Sequence, residues 1–448
     1  MTKAVDFFRL FFTLELIQEI VKHTNAYAWT VIEKKQAYAD KWGAWKETSV
    51  EEIEKLIAII LYFGLVHVNT FQDYWSTKTL YHGLWARTFL SRLRFKSLMA
   101  TLHIVDPSSE DEEDKLRKIA SFLEDFKSKC KSLFNYQPFQ KVAVDERTVK
   151  SKHRSGIRQY IKNKPTKWGI KLWVIADSAN GYTYDFDVYA GKNAGQEVSP
   201  NGLGYDVVMR LVSSLMNQGY HLYFDNYYTS VQLVQDLFKM EILACGTASE
   251  NRRGFPQSMK NGKQWAKGKE RGSMRWEREG SCLALQWLDN RPVTMLSTID
   301  SANSFELVDR KEKVNNKWCN IKVRQPQAIH SYNQFMNGAD RSDQMLAQNS
   351  TLRKCMRWWK TLFFHMIDIA VVNSFILFQL HRAEHPEVEE LKRPSRYSAS
   401  DFREELVRQL GGLEEYGLPP VWKPSAQEKP KDSSFQTRVL AMYSELGI

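Results

Sequence analysis

The sequence predicts an α/β protein whose mixed-sheet core is bracketed by helical segments, and three observations carry that reading. From Leu14 to about Cys130 apolar residues recur three or four apart, as in IEKLIAIILYFGLV (53–66) and FLSRLRFKSLMATLHIV (89–105), the spacing of helices. At Val142 the pattern switches to alternation in KVAVDERTV (141–149), and strand and helix signals then follow one another to about residue 250. From Gln334 onward the helical spacing returns.

The central elements can be read in order. KLWVIADSANGYTYDFDVYAG (171–191) reads as two strands around an Asn180-Gly181 turn. DVVMRLVSSLMNQ (206–218) is a helical stretch leading to the short strand HLYFD (221–225), and SVQLVQDLFKM (230–240) is a helix before the strand ILACGT (242–247). Strand, hairpin partner, helix, strand, helix, strand is the order of an RNase H-like core. Between about Asn251 and Glu279 the chain turns polar and glycine-rich, which reads as an insertion, and VTMLSTID (293–300) restores a strand. RSDQMLAQNS (341–350) and TLFFHMIDIAVVNSFILFQL (361–380) are helices, and the segment from Glu384 is charged and only partly periodic.

Composition narrows the class. With 448 residues, 43% of them apolar, the chain can bury a core and falls outside the disordered range. Lysine and arginine exceed aspartate and glutamate by 63 to 52, so a polyanion is a reasonable partner wherever that charge clusters. Cys130, Cys245, Cys282, Cys319 and Cys355 form no CxxC pair, which argues against a zinc ribbon or a disulfide framework and fits a reducing compartment. The start, MTKAVDFFRLFF, lacks the regions of a secretory signal. The longest apolar run, Leu362 to Leu380, contains His365, Asp368 and Asn373 and reads as a buried helix; no membrane partner is expected.

Four aspartates stand where such a core would carry its chemistry: Asp145 on the first strand, Asp225 at the end of a later one, and Asp340 with Asp343. The last two are three apart, a spacing that puts both carboxylates on one helix face. Mg²⁺ takes hard oxygen ligands and keeps waters and phosphate oxygens, so three or four carboxylates suffice for two ions that drive an in-line displacement. His103, His153, His221 and His330 fall in no triad or metal spacing and read as structural. The acidic segment DPSSEDEED (106–114) reads as an exposed loop.

Several ordered blocks give the sequence a family likeness. VDERTV (144–149), KNKPTKWGIKLW (162–173), YFDNYYTS (223–230), LST (296–298), YNQFMNGADRSDQM (332–345) and VNSF (372–375) resemble the piggyBac transposase family in order and spacing. The resemblance implies a DDE/D-type DNA transposase that cuts and joins DNA at TTAA sites, acting as a nuclear homodimer on transposon ends. Its alternative is a domesticated, non-mobilising DNA-binding protein of the same fold. Carried over, the metal-binding aspartates are Asp145, Asp225 and Asp340, with Asp343 as the additional acidic residue, holding two Mg²⁺ ions, or Mn²⁺. The resemblance also assigns DNA contact to Tyr160, Asn226 and Trp358.

The expected division is a helical dimerisation and DNA-binding module from residues 1–138 and 350–430, a catalytic core from 139–250 and 327–349, an insertion domain at 251–326, and a tail at 431–448. Basic residues cluster after the first aspartate; Lys152, Arg154, Arg158, Lys164 and Lys167, with Arg252 and Arg253 at the start of the insertion, are the candidate phosphate contacts. Between Arg252 and Arg278 nine basic residues meet two acidic ones, with Trp265 and Trp276 interleaved, a pattern that suits a nucleic-acid surface.

Three departures from the family pattern stand out. GTASENRRGFP carries Ser249 and Glu250 where relatives commonly have a basic residue, so one phosphate contact is expected to be missing. Asn337 and Ala339 flank Gly338 in the third-aspartate motif. No cysteine follows Cys355, so no zinc is expected in this chain, and tight binding with little preference for particular transposon ends is the expectation.

Overall fold

The computed structural model describes residues 1–34, 45–78, 86–162, 166–191, 198–314, 316–353, 355 and 357–413. Lys164 and the tail at 431–448 lie outside the described residues. The described residues divide into two compact units, one drawn from 1–135, 149–170 and 345–413, the other from 136–148 and 171–344.

The first unit is helical. Its described helices are α1 (Ala4–Phe8), α2 (Leu14–Lys34), α3 (Val50–Leu65), α4 (Ala86–Phe89), α5 (Arg92–Thr101) and α6 (Ala120–Cys130), joined later in the chain by a long helix over Trp358–Glu384 and a last one over Ala399–Leu410. Serine hydroxyls start several of them, satisfying amide groups that a first turn leaves unpaired: Ser49 accepts from the Glu52 amide, Ser91 from Arg94 and Ser398 from Asp401. Aromatic residues fill the interior. Phe63, Tyr74, Trp75 and Phe95 form one cluster, and Phe12, Phe122, Phe126 and Phe363 another, with ring centroids 4.2–6.4 Å apart. The helix over Trp358–Glu384 is long and apolar enough to cross a bilayer, yet 94% of its most apolar stretch is buried inside the protein, as the interrupted run of Leu362–Leu380 led one to expect.

His103 belongs to this interior. It stacks on Tyr27 at 4.3 Å, and its Nε2 lies 3.2 Å from Glu110 of the acidic loop, which also pairs with Lys118 at 3.0 Å. Burial lowers the His103 pKa to about 4, the charges of Lys118 and Arg357 push the same way, and Glu110 opposes them. Because the folded value lies below the unfolded one, the unfolded chain binds more protons between pH 6.5 and 4, and stability is lost as pH falls through that window. The loss is about 3 kcal/mol at its full extent. Urea unfolding at pH 7 and near pH 4 should show a smaller pH dependence in His103→Gln than in the parent.

The second unit is built on a mixed sheet. Its strands are β1 (Lys141–Lys150), β3 (Trp168–Asp177), β4 (Thr183–Val188), β5 (His221–Phe224), β6 (Leu243–Thr247), β7 (Met274–Glu279), β8 (Cys282–Leu288) and β9 (Pro292–Ser297). The order runs β3-β1-β5-β6-β9-β8-β7, with β4 antiparallel to β3 across the expected Asn180-Gly181 turn. β1, β5 and β6 are parallel; β9, β8 and β7 continue the sheet antiparallel beyond β6. The short β2 (Arg158–Tyr160) pairs with Trp168–Ile170 within the first unit. Helices α7 (Leu203–Leu211) and α8 (Val231–Lys239) supply the crossovers that parallel strands require. Beyond the short α9 (Gly262–Trp265), β10 (Phe305–Val314) and β11 (Lys317–Pro326) form a separate two-stranded ribbon, largely exposed, with Leu307 and Trp318 in solvent. Then follow α10 (Gln327–Phe335), α11 (Gly338–Gln348), the long helix, now α12 (Trp358–Glu384), and α13 (Ala399–Leu410). One face of the sheet packs on α10 through Tyr223, Cys245, Leu285, Met295, Ala328 and Ile329.

Candidate active site

Strand register decides where the first two aspartates stand. β1 and β5 are parallel with Val144 opposite Phe224, so Asp145, midway along β1, and Asp225, just past the end of β5, each follow the last paired residue and stand side by side where the two strands part. Neighbouring strands lie about 4.8 Å apart, which is close enough for both carboxylates to act on one small volume. Hydrogen bonds fix each of them locally. Asp145 accepts from the Glu146 amide at 2.7 Å, and Asp225 accepts from the Tyr227 amide at 2.9 Å while its carbonyl takes the Thr229 hydroxyl at 2.7 Å. Gly246 on β6 keeps that loop close, because a Cβ there would stand 2.4 Å from Thr229 Oγ1 and 2.7 Å from the Phe224 carbonyl.

A buried tyrosine, Tyr228, and a half-buried one, Tyr332, lie within the field of both carboxylates. Burial raises the pKa of Tyr228, and Glu146, Asp145 and Asp225 push it further in the same direction. Tyr332 of α10 is pushed up to about 12, by burial first and then in part by Asp225 and Asp145. Both phenols therefore stay protonated beside an electronegative centre.

Asp340 and Asp343 lie on α11, Asp340 exposed in its first turn and Asp343 partly exposed, and their spacing of three puts them on one face. The helix is seated by its own motif: a Cβ on Gly338 would stand 3.1 Å from the Asp177 carbonyl, Ser342 lies 2.9 Å from Thr183 Oγ1, and Arg341 donates to the Ala179 carbonyl. Arg147, two residues beyond Asp145 and 3% exposed, donates to Ser342 Oγ at 2.8 Å and to the Asp343 carboxylate. Asp343 is thus an ion-pair partner of the first strand. Among the described residues, Asp145, Asp225 and Asp340 do not bring their oxygens all within 4.8 Å of one another; the side chains that do are His381, Glu384 and His385. The carboxylates are hard oxygen donors, partly open to solvent, which suits Mg²⁺ or Mn²⁺ with retained waters and gives Zn²⁺ none of its preferred nitrogen or sulfur ligands.

The other candidates separate into surface and scaffold. Lys152, Arg154 and Lys167 are exposed, and Arg253 is exposed beside a half-buried Arg252. Tyr160 is 53% exposed, and through the β2–β3 register it faces Trp168, 47% exposed, at 4.9 Å, with the Arg158 guanidinium 4.3 Å over the Trp168 ring. The two tilted rings and the guanidinium form one exposed aromatic–cation cluster, and only the hairpin register reveals Trp168 as the partner of Tyr160. Arg252 is engaged internally, donating to the Asn226 and Tyr227 carbonyls at 2.6 and 2.8 Å and so bracing the loop after Asp225. Asn226 itself is exposed. In the first unit, Trp358 is half-buried at a cavity of about 260 Å³ lined also by Tyr27, His103, Lys118 and Arg357, while Trp359 is buried. Glu250 is half-buried and engaged internally: its carboxylate accepts the Gly262 backbone amide at 3.1 Å and the Gln286 side-chain Nε2 at 3.0 Å. A basic side chain there would lose both bonds.

Known proteins resemble the chain along most of its length. A family model described as "Transposase IS4" matches residues 3–375. The human PiggyBac transposable element-derived protein 3 is 26% identical over 98% of this chain, which spans 69% of that protein. The human PiggyBac transposable element-derived protein 2 is 25% identical over 84% of this chain, corresponding to 61% of that protein. A cryo-EM structure of a piggyBac transposase synaptic complex with hairpin DNA shares the fold with a TM-score of 0.77 and 25% identity, covering 100% of this chain and 85% of that one. On the family match and this shared α/β, RNase H-like fold with its helical module, the chain belongs to the piggyBac transposase family.

Proposed function

We propose that the chain cleaves and joins DNA at TTAA sites by metal-dependent phosphodiester displacement, acting in the nucleus as a homodimer on paired transposon ends. The observation that carries this reading is the register that sets Asp145 beside Asp225, with both charges acting on Tyr228 and Tyr332. Asp145, Asp225 and Asp340 would hold two divalent cations, and Asp343, paired with Arg147, would set the pose of α11. When bound, such a pair activates the attacking oxygen and stabilises the leaving one. The protein's own work is to hold the carboxylates oriented, keep the phenols protonated, and grip phosphates with Lys152, Arg154, Arg158 and Lys167 and bases with Tyr160 and Trp168. In this reading Asn226, Arg253 and Trp358 contact DNA, Arg252 contributes by bracing the Asp225 loop, and Lys164 joins the basic stripe.

The test is incubation of the full chain with a TTAA-flanked terminal-repeat duplex in Mg²⁺, with an Asp225→Asn preparation as the control for contaminating nuclease. Cleavage above that control that disappears with EDTA supports the reading. Binding without cleavage leaves a DNA-binding protein in its place.

Arg147→Lys should lower the cleavage rate by about 10- to 100-fold, the scale on which groups that position metal ligands act, because lysine cannot bridge Ser342 and Asp343 with one planar fork and so loosens the helix that carries Asp340. Initial rates across a Mg²⁺ titration check this, and the loss should shrink as Mg²⁺ rises.

A further inference from the structure

We propose a second metal site, distinct from the carboxylates and selective for Zn²⁺, formed by His381, Glu384 and His385 at the carboxyl end of α12. The three side chains each offer a ligand atom, all within 4.8 Å of one another. Their spacing explains this: residues three and four apart share a helix face, and although His385 is the C-cap, already out of helical conformation at φ −123° and ψ 59°, its amide still donates to the His381 carbonyl at 3.0 Å and holds it against the last turn. The imidazole rings lie 4.5 Å apart at 59°, and His381 is steadied by an edge contact with Phe7 of α1 at 5.6 Å.

Two independent features favour a cation here. The site sits on the negative end of a 27-residue helix. The Glu387 carboxylate lies 3.4 Å from His385 Nδ1, the carboxylate–imidazole arrangement that orients a ligating histidine and leaves Nε2 for the metal. Two imidazoles and one carboxylate are a Zn²⁺ ligand set with a fourth position for water, and they are poor ligands for Mg²⁺, which prefers oxygen alone. Bound there, Zn²⁺ would pin the end of α12 while the Phe7 contact ties that end to α1.

The experiment is calorimetric titration of Zn²⁺ into the chelator-treated full chain in excess Mg²⁺, which occupies oxygen-only sites, together with thermal melts. The parent should take up one equivalent that His385→Ala lacks, and Glu384→Gln should bind it at least about tenfold more weakly, given that even outer partners of metal ligands act on that scale. Zn²⁺ should raise the melting temperature of the parent and not that of His385→Ala. Glu384 is exposed, so its isosteric variant remains folded and interpretable if His385→Ala does not. Unchanged Zn²⁺ stoichiometry and affinity in Glu384→Gln, or no uptake by the parent, overturns the proposal.

Discussion

Asp225→Asn is expected to lower Mg²⁺-dependent strand cleavage by about a thousandfold or more, since loss of one ligand removes several kcal/mol of charge stabilisation and each 1.36 kcal/mol is a factor of ten. The fold should be untouched. Asparagine keeps the side-chain oxygen that accepts the Tyr227 amide, and the bond that holds the loop from Thr229 goes to the backbone carbonyl. Asp145→Asn should behave alike, because the Glu146 amide still finds an oxygen. Asp340→Asn, exposed on α11, should also abolish cleavage, whereas Asp343→Asn should be milder because its carboxylate is already engaged by Arg147. Single-turnover rates on folded variants are the measurement; a near-normal rate for Asp225→Asn would remove that residue from the site.

The second large effect is on stability. Both terminal nitrogens of Arg403 of α13 donate to one oxygen, Oδ1, of Asp368 of α12 at 3.2 Å, with side chains 2% and 1% exposed, and the Thr351 amide donates to Asp368 at 2.9 Å. Burial pushes the Asp368 pKa up and that of Arg403 down, and each charge opposes the shift in the other. Arg403→Leu would leave a buried carboxylate without its partner and should cost about 3–5 kcal/mol in urea unfolding. The double variant Asp368→Leu/Arg403→Met should cost less than Arg403→Leu, since no charge is then stranded. A double variant as damaged as the single one would mean that the pair contributes through packing instead.

By itself the sequence determined the element types and the candidate residues. Helical spacing in 53–66 and 89–105, alternation in 141–149 and the Asn180-Gly181 turn are local signals, fixed by side-chain period and backbone preference within a few residues. The same holds for Asp145 on a strand, Asp225 at a strand end, and Asp340 with Asp343 three apart. The charge inside the Leu362–Leu380 run was visible too, but Arg403, which accommodates it, lies 35 residues further along the chain.

Only the tertiary structure decided who meets whom. The Val144–Phe224 register that aligns the two aspartates joins strands some eighty residues apart, and parallel register is set by the packing of both sheet faces, which no local window records. Arg147 carries no local signal in the sequence, and its role emerges only where α11 brings Asp343 to it. Arg252 and Glu250 illustrate the same point with opposite charges: side chains that composition assigns to solvent are instead engaged by groups distant in sequence, Arg252 by the carbonyls of the loop after Asp225 and Glu250 by the part-buried Gly262 amide, which would lack that partner without it.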